Sequence, residues 1–245
     1  QFVTPLAFQA LGADPVDGDM FPVEEPFAHL APGRTAHVLA IAPATANFLA
    51  KMAHGLADDM LSCQVLSFDG PIIAAPAMNP RLWSAPATRE NWEKLLARGV
   101  IGLAPESGNV ACGDEGRGRL VPPETILMAV LRAAAPQDMV GRRVLVSLGP
   151  TREFWDPIRF LSNPSSGTMG GAIAVAAWLR GASVTAVCGP VDIYFPCPGP
   201  DFHRIDVVTA REMLEACGDL WPSMDYGCLT AAVSDFSPRP FGDRK

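Results

Sequence analysis

The chain lacks the features that mark several classes of protein. No apolar run among its 245 residues reaches about 18, so we expect no membrane-spanning helix. No secretory signal peptide is visible, and no segment repeats with a period of about 20–50 residues. The formal net charge is −7, which argues against non-specific nucleic-acid binding. A local basic pocket for a small anion is compatible with that charge.

Paired cysteines are also lacking. The six cysteines form no C-x-x-C pair, and most lie in apolar surroundings. This distribution is typical of reduced thiols in a cytosol and argues against a disulfide framework or a zinc site. We therefore expect a cytoplasmic protein, and no set of metal ligands can be chosen from the sequence.

A dinucleotide fingerprint is lacking as well. No G-x-G-x-x-G follows an apolar run with an acidic residue about 20 positions later, so a Rossmann-type dehydrogenase is disfavoured. The chain does have alternating strand and helix patterns, which predict an α/β fold of two Rossmann-like three-layer units with mainly parallel sheets. The predicted strands are 38–42, 71–75 and 100–104 in the first half, and 143–148, 183–188, 203–207 and 225–233 in the second.

The best linker is Ala135-Pro136-Gln137-Asp138. We predict a first domain over residues 1–135, a linker over 136–141 and a second domain over 142–245. The sequence begins at Gln1 without a leading strand pattern, and it ends soon after the strand pattern at 225–233. We therefore expect an internal portion of a longer protein, with the first domain cut at its start and the second domain cut at its end.

The unusual loops of the sequence all follow predicted strands. In parallel α/β sheets, ligands bind outside the carboxyl ends of the strands. This shared position predicts two active sites, one in each half. The loops are 43–47, 76–80, 105–119, 149–168 and 234–245.

The sequence from Ser147 to Gly171 is typical of a strand end, a long polar loop and a helix whose first turn contains glycines. Backbone N–H groups at a helix N-terminus, with the helix dipole behind them, bind phosphate or carboxylate. The turn Ser165-Ser166-Gly167 adds hydroxyl donors and lets a ligand approach the backbone closely. An ordinary strand-to-helix connection is the alternative, although such connections are usually about 2–6 residues long.

Several motifs occur in an order and spacing that resemble one enzyme family. In the first half they are A-P-A-T-A-N at 42–47, P-A-M-N at 76–79 and A-C-G-D-E-G at 111–116. In the second half they are G-P-T-R-E at 149–153, D-P at 156–157, R-F at 159–160, S-N at 162–163, S-S-G at 165–167 and A-A-V-S-D-F at 231–236. Together they resemble the bifunctional phosphopantothenoylcysteine decarboxylase/phosphopantothenate–cysteine ligases of bacterial coenzyme A synthesis. The resemblance implies a flavodoxin-like flavoprotein decarboxylase followed by a ligase domain.

For the first half, the resemblance implies an FMN-dependent decarboxylase. The thiol of phosphopantothenoylcysteine would be oxidised to a thioaldehyde with FMN as the oxidant, so that the carboxylate can leave as CO₂ on the way to 4′-phosphopantetheine. The resemblance makes His29 a base or orienting residue, and it makes Asn79, with Met78 beside it, a clamp for the substrate. Cys112 would be the proton donor to the intermediate. The residues that would contact the flavin are Ala44, Thr45 and Asn47.

Each of these residues also has a structural interpretation. A lone histidine such as His29 is more often structural, and Asn79 precedes Pro80 as a turn residue would. Thr45 suits a helix N-cap, and Cys112 lies in a glycine-rich, charged loop where a thiol can simply be exposed. His37 stands where the family often has an acidic residue.

For the second half, the resemblance implies that CTP activates the carboxylate of 4′-phosphopantothenate as an acyl-cytidylate. The amine of cysteine then displaces CMP, with Mg²⁺ neutralising the triphosphate. Asn163, otherwise a turn residue before Pro164, would hydrogen-bond the acyl group. Thr168 stands where the family usually has lysine. The residues implied in binding CTP and its phosphates are Ser165, Ser166, Gly167, Thr230, Ala231, Asp235 and Lys245.

The partners implied are small molecules and further copies of the chain. Related decarboxylases build the flavin site between subunits, so the resemblance implies a homo-oligomer based on trimers. The alternative is a non-catalytic flavin-binding subunit with a regulatory or assembly role, because some decarboxylase-like folds have that role.

Overall fold

The computed structural model describes residues 4–13, 16, 31–109 and 113–239. The chain divides into two compact units, residues 1–121 and 122–245. Both are α/β with mainly parallel sheets, as the alternating sequence patterns predict. No helix of the described residues is long and apolar enough to cross a membrane. The three-layer, Rossmann-like arrangement of each unit stays a prediction.

The first unit contains a parallel sheet in the order β1-β2-β3, formed by β1 (Leu39–Ala44), β2 (Ile72–Pro76) and β3 (Ile101–Gly102). Its central strand is almost wholly buried, which is why it reads as a continuous apolar run. The third strand is shorter than the predicted 100–104. The helices are α1 (Pro5–Ala10), α2 (Ala31–Thr35), α3 (Ala46–His54), α4 (Met60–Ser67), α5 (Pro80–Ser84) and α6 (Pro86–Ala97).

Side-chain caps set where two of these helices begin. The Thr45 Oγ1 accepts a hydrogen bond from the Phe48 N–H at 3.2 Å, so Thr45 is the N-cap of α3. Asp59 and Ser62 form a reciprocal capping box at the start of α4. The sequence predicts this helix over 57–62, and that position is wrong because the cap at Asp59 moves its start to Met60.

An antiparallel hairpin occupies most of the glycine-rich segment 105–119, for which the sequence predicts only a loop. Its strands are β4 (Glu106–Asn109) and β5 (Glu115–Arg119). A strand rich in glycine is hard to recognise in a sequence, because glycine gives no alternation of apolar and polar side chains. The prediction of a loop throughout this segment is therefore wrong.

The second unit contains a four-stranded parallel sheet in the order β10-β9-β6-β11. Its strands are β6 (Arg143–Leu148), β9 (Ser183–Cys188), β10 (Phe202–Asp206) and β11 (Tyr226–Leu229). Its helices are α7 (Pro123–Ala134), α8 (Thr168–Leu179) and α9 (Ala210–Leu220), followed by a 3₁₀ turn (Trp221–Ser223). Thr209 and Glu212 form a reciprocal capping box at the start of α9, as the T-x-x-E pattern at 209–212 predicts.

The long connection between β6 and α8 contains a second hairpin. Its strands are β7 (Arg152–Phe154) and β8 (Phe160–Ser162), so the prediction of a loop over all of 149–168 is wrong. Asp156 stabilises the turn between them because its carboxylate accepts from the Ile158 and Arg159 N–H groups at 2.8 and 2.7 Å. Helix α8 begins directly after Gly167, whose φ of 71° only glycine adopts easily.

The helix α7 belongs by its contacts to the second unit. Its Arg132 guanidinium lies 4.4 Å from the ring centroid of Trp178 on α8, and Met128 packs against the buried cluster that contains Trp178. The sequence predicts the linker after this helix, at 136–141, whereas the compact units divide before it. The domain boundaries of 135 and 142 stay a prediction.

Candidate functional site

The carboxyl ends of β1 and β2 are adjacent in the first unit. Ala44 pairs with Pro76, and the Ala77 N–H donates to the Ala44 carbonyl at 3.2 Å. The loops that follow the two strands therefore start side by side, as the parallel sheet predicts. Ala44 is fully buried, while Thr45 and Asn47 are exposed at the start of α3.

Asn79 lies in the loop that follows β2. Its Oδ1 accepts from the Arg81 N–H at 2.8 Å, so it caps the short helix α5. Its Nδ2 donates to the Asp114 Oδ2 at 2.6 Å. Asn79 therefore has a structural role at the start of α5. Its contact with Asp114 also connects it to the hairpin of β4 and β5. Sequence reasoning gave Asp114 no role of its own.

The same hairpin packs closely on the backbone of residues 78–80. The Met78 N–H donates to the Gly118 carbonyl at 3.0 Å. A Cβ on Gly118 would lie only 2.2 Å from the Met78 carbonyl oxygen, so this approach requires glycine. The hairpin thus packs directly on the loop that contains Asn79. In the sequence, only the glycines at 116 and 118 could have indicated this close packing.

Three predicted site residues, His29, Cys112 and Lys245, lie outside the described residues. His37 is exposed near the start of β1. The roles of the predicted residues in binding and catalysis stay predictions.

In the second unit, the segment after β11 runs beside the segment after β6. The N–H and hydroxyl of Thr230 both donate to the Ser147 carbonyl, at 3.0 and 2.7 Å. The Ala232 N–H donates to the Gly149 carbonyl at 2.8 Å. The Thr230 hydroxyl therefore supports the backbone, a contact that the sequence did not predict.

Asn163 joins these segments from the hairpin side. Its Nδ2 lies 3.2 Å from the carbonyl oxygens of both Ala232 and Val233. The two contacts orient the amide while the residue stays exposed. The structure thus brings Asn163 together with the 231–236 motif, although 69 and 70 positions separate the hydrogen-bonded pairs.

The N-terminus of α8 lies against the ends of these strands. A Cβ on Gly170 would lie 2.6 Å from the Leu148 Cβ and 2.3 Å from the Thr230 Oγ1. In the preceding turn, the Ser165 Oγ accepts from the Gly167 N–H at 3.3 Å, and the hydroxyls of Ser166 and Thr168 lie 2.8 Å apart. A group of hydroxyls therefore lies beside the positive end of the helix dipole, an arrangement that suits an anion.

Two carboxylates of this region have a lowered pKa. Burial alone would raise the pKa of Glu153, but hydrogen bonds from Ser237, Ala210 and Thr151 outweigh it and hold the pKa below its ordinary range. The N–H groups of Arg159 and Ile158 lower the pKa of Asp156, and the Arg159 guanidinium adds to the effect. Sequence reasoning gave neither carboxylate a role, because a buried charge inside a polar stretch has no pattern of its own.

No group of three or more histidine, cysteine, aspartate or glutamate side chains is placed to hold a metal ion within the described ranges. Asp235, a predicted nucleotide-binding residue, is exposed. A cavity of about 440 Å³ runs along α8 between Thr168 and Leu179, with residues 193–195 as its other wall. Its lining contains neither Asn163 nor Asp235, so we do not assign it to the predicted nucleotide site.

A family model described as "Flavoprotein" matches residues 6–135, which is more than half of the chain. The chain belongs to the flavoprotein family. Residues 139–245 match a second model, described as "DNA/pantothenate metabolism flavoprotein C-terminal domain". Residues 136–138 separate the two matches, and they lie in the segment where the sequence predicts the linker.

Curated relatives resemble nearly the whole chain. The chain is 41% identical over 238 residues to the coenzyme A biosynthesis bifunctional protein CoaBC of Escherichia coli K12, covering 96% of this chain and 58% of that protein. It is 39% identical over 250 residues to the Bacillus subtilis protein of the same name, covering 100% of this chain and 61% of the relative. The chain therefore spans about three fifths of the length of these relatives.

A solved structure of a PPC decarboxylase variant complexed with pantothenoylaminoethenethiol shares 36% sequence identity with the chain. The alignment covers 44% of this chain and 61% of that one, with a TM-score of 0.42.

Proposed function

We propose that the first unit belongs to a decarboxylase that removes CO₂ from the cysteine carboxylate of phosphopantothenoylcysteine. The observation that carries this proposal is the position of Asn79, at the carboxyl end of β2 and in contact with Asp114 of the hairpin. An amide can donate to a carboxylate, and the Asn79 amide already does so toward Asp114. The curated relatives, named for coenzyme A biosynthesis, support the same substrate class.

The residues at this edge of the sheet fit a flavin, and we infer that the cofactor is FMN. The exposed Thr45 and Asn47 side chains are uncharged hydrogen-bonding groups at the start of α3, next to the buried Ala44. Such a set suits the polar edge of a largely apolar ring system. When bound, FMN would supply the oxidation and reduction that make the carboxylate a leaving group. Asn79 would hold that carboxylate, and the hairpin packed on residues 78–80 would exclude water.

The test is CO₂ release by the full-length, flavin-loaded protein. Asn79→Ala should lower kcat/KM by about 100-fold, because a misplaced substrate costs that much. Asn91→Ala is the matched control, since the Asn91 Oδ1 lies 3.1 Å from the Nε2 of His54, the last residue of α3. Equal activity of the two variants would rule out this role of Asn79.

For the second unit we propose CTP-dependent ligation of 4′-phosphopantothenate with cysteine. The specific observation is the orientation of Asn163 by two carbonyl groups, close to the hydroxyl-lined start of α8. Asn163 would hydrogen-bond the acyl group, and the turn of Ser165, Ser166 and Gly167 would receive the phosphates of CTP with Mg²⁺. At position 168 this chain has the hydroxyl of threonine, whereas the family usually has the positive charge of lysine.

The test is pyrophosphate release from CTP that depends on phosphopantothenate, again with the full-length protein. Asn163→Ala should abolish it and leave CO₂ release intact, whereas Asn79→Ala should lower CO₂ release and leave pyrophosphate release intact. The two variants are therefore controls for each other. Loss of both activities in either variant would indicate a folding defect rather than two separate sites.

A further inference from the structure

Glu153 is a buried carboxylate in the middle of the short strand β7. Its Oε1 accepts from the Ala210 N–H at 2.9 Å, and its Oε2 accepts from the Ser237 hydroxyl at 2.7 Å. Burying a charge is costly unless hydrogen bonds replace its hydration. These two donors replace part of it, and they come from two different segments of the second unit.

The two segments are the start of α9 and the stretch beyond β11. Ala210 is the first residue of α9, so the carboxylate also lies at the positive end of that helix. Ser237 lies two residues after Asp235. On the other side of Asp235, the Ser234 N–H donates to the Thr151 Oγ1 at 3.0 Å, and Thr151 is fully buried. The exposed Asp235 is therefore flanked by two residues that are held by buried side chains.

Regular sheet pairing does not extend this far. Strand β11 ends at Leu229, and beyond it the structure pairs Pro150 with Ala232 as an isolated bridge. The position of residues 234–237 thus depends on side-chain contacts with Thr151 and Glu153 rather than on a ladder of backbone hydrogen bonds. A change in those contacts moves Asp235 without breaking the sheet.

We propose that Glu153 is a positioning residue for nucleotide binding, which acts through Ser237 to hold Asp235 beside the Asn163 contacts. This inference rests on the proposed ligase function of the second unit. Glu153 does not touch the substrate; it sets where the segment 234–237 lies. Loss of its contact should therefore weaken the binding of CTP more than that of phosphopantothenate.

Ser237→Ala in the full-length protein tests this role, because Ser237 is exposed and its loss leaves the Ala210 contact in place. We expect the KM for CTP to rise about tenfold, the size of one hydrogen bond to a charged group. The KM for phosphopantothenate should stay unchanged. Ser237→Thr keeps the hydroxyl and should restore the KM for CTP. Ser223→Ala removes a 2.8 Å hydroxyl contact on the turn after α9 and is the matched control.

Glu153→Gln should also raise the KM for CTP. Adding Ser237→Ala to that variant should raise the KM less than it does in the wild type, since both changes act on one contact.

Hydrogen exchange gives a readout without activity: the amides of residues 234–237 should exchange faster in Ser237→Ala, and those of β11 should not. An active Ser237→Ala protein with unchanged KM and exchange overturns the inference alone. Absence of CTP turnover in the wild type overturns the ligase function and with it the role given to Glu153.

Discussion

At the scale of single residues, two glycines in helices have opposite surroundings. A Cβ on Gly170 would overlap the Thr230 hydroxyl and Leu148, whereas a Cβ on Gly218 in α9 would meet nothing within 4 Å. The first glycine is therefore required for the close approach of α8 to the strand ends. The second only adds flexibility to the unfolded chain.

We predict opposite effects of alanine at these two positions. Gly170→Ala should lower the free energy of unfolding by about 1–3 kcal/mol, as overpacking does. Gly218→Ala should raise it by about 0.5–1 kcal/mol through helix propensity and unfolded-state entropy. Urea unfolding of the two variants beside the wild type measures both changes. A stable Gly170→Ala protein with intact CTP turnover would show that α8 can shift without cost to the site.

The residue scale also shows what the sequence could not reveal. Asn163 was predicted as a site residue, and the structure places it against the 231–236 motif, but its partners are backbone carbonyls. Backbone partners leave no trace in residue identity. Glu153 was visible as part of a motif, yet its burial depends on Ala210 and Ser237, which are 57 and 84 positions away.

At the scale of elements, the parallel strands were largely predictable and the two hairpins were not. Strands 143–148 and 183–188 are rich in apolar residues, and both were placed correctly. The hairpin in 106–119 consists mainly of glycines and charged residues. In the hairpin of 152–162 the buried residue of β7 is the charged Glu153, while the apolar residues of β8 are exposed, so neither hairpin carries an apolar alternation. Their pairing is set by contacts with the loops they cover, which a local pattern does not contain.

The hairpin of β4 and β5 leads to a prediction at this scale. Gly118→Ala would place a methyl group against the Met78 carbonyl, so β5 must move away from residues 78–80. We expect the Asn79–Asp114 contact to be lost and CO₂ release to fall at least tenfold, with CTP turnover unchanged. Gly108→Ala is the control in the same hairpin, because its Cβ would have ordinary contact with the Arg119 side chain at 3.5 Å. Similar decarboxylation by both variants would contradict the prediction.

At the scale of the whole molecule, the lowered pKa values of Glu153 and Asp156 make stability depend on pH. Both carboxylates are more acidic in the folded state than their ordinary values of 4.5 and 3.8. Their contribution is complete above those values and is lost as the pH falls through the folded pKa values. The urea midpoint of the second unit should therefore fall between about pH 5 and about pH 3. Glu153→Gln should reduce the fall of the urea midpoint with decreasing pH. The same fall in the variant and the wild type would show that the pKa of Glu153 is equal in the folded and unfolded states.

Two cysteines with a raised thiol pKa, the buried Cys188 and the half-buried Cys197, give a second prediction for the whole molecule. Burial raises the pKa of Cys188 to about 11 and that of Cys197 to about 12. Both thiols stay protonated at about pH 8, so iodoacetamide should label them only after unfolding. Stability should also fall as the pH rises above the ordinary thiol value of 9.0, because the unfolded thiols ionise first. Mass spectrometry of native and denatured samples measures the labelling, and rapid native labelling of Cys188 would contradict its burial.

The parallel course of residues 230–237 beside residues 147–153 has a consequence for how this chain can change in length. The residues between the two segments do not enter their register. The loop tip around Gly199, where a Cβ would meet nothing within 4 Å, can therefore gain or lose residues without moving the site. A single residue inserted between Ala232 and Ser234 would instead exchange inward and outward side chains along the segment. Among homologous chains, length variation should therefore be common in that loop and absent between positions 230 and 237.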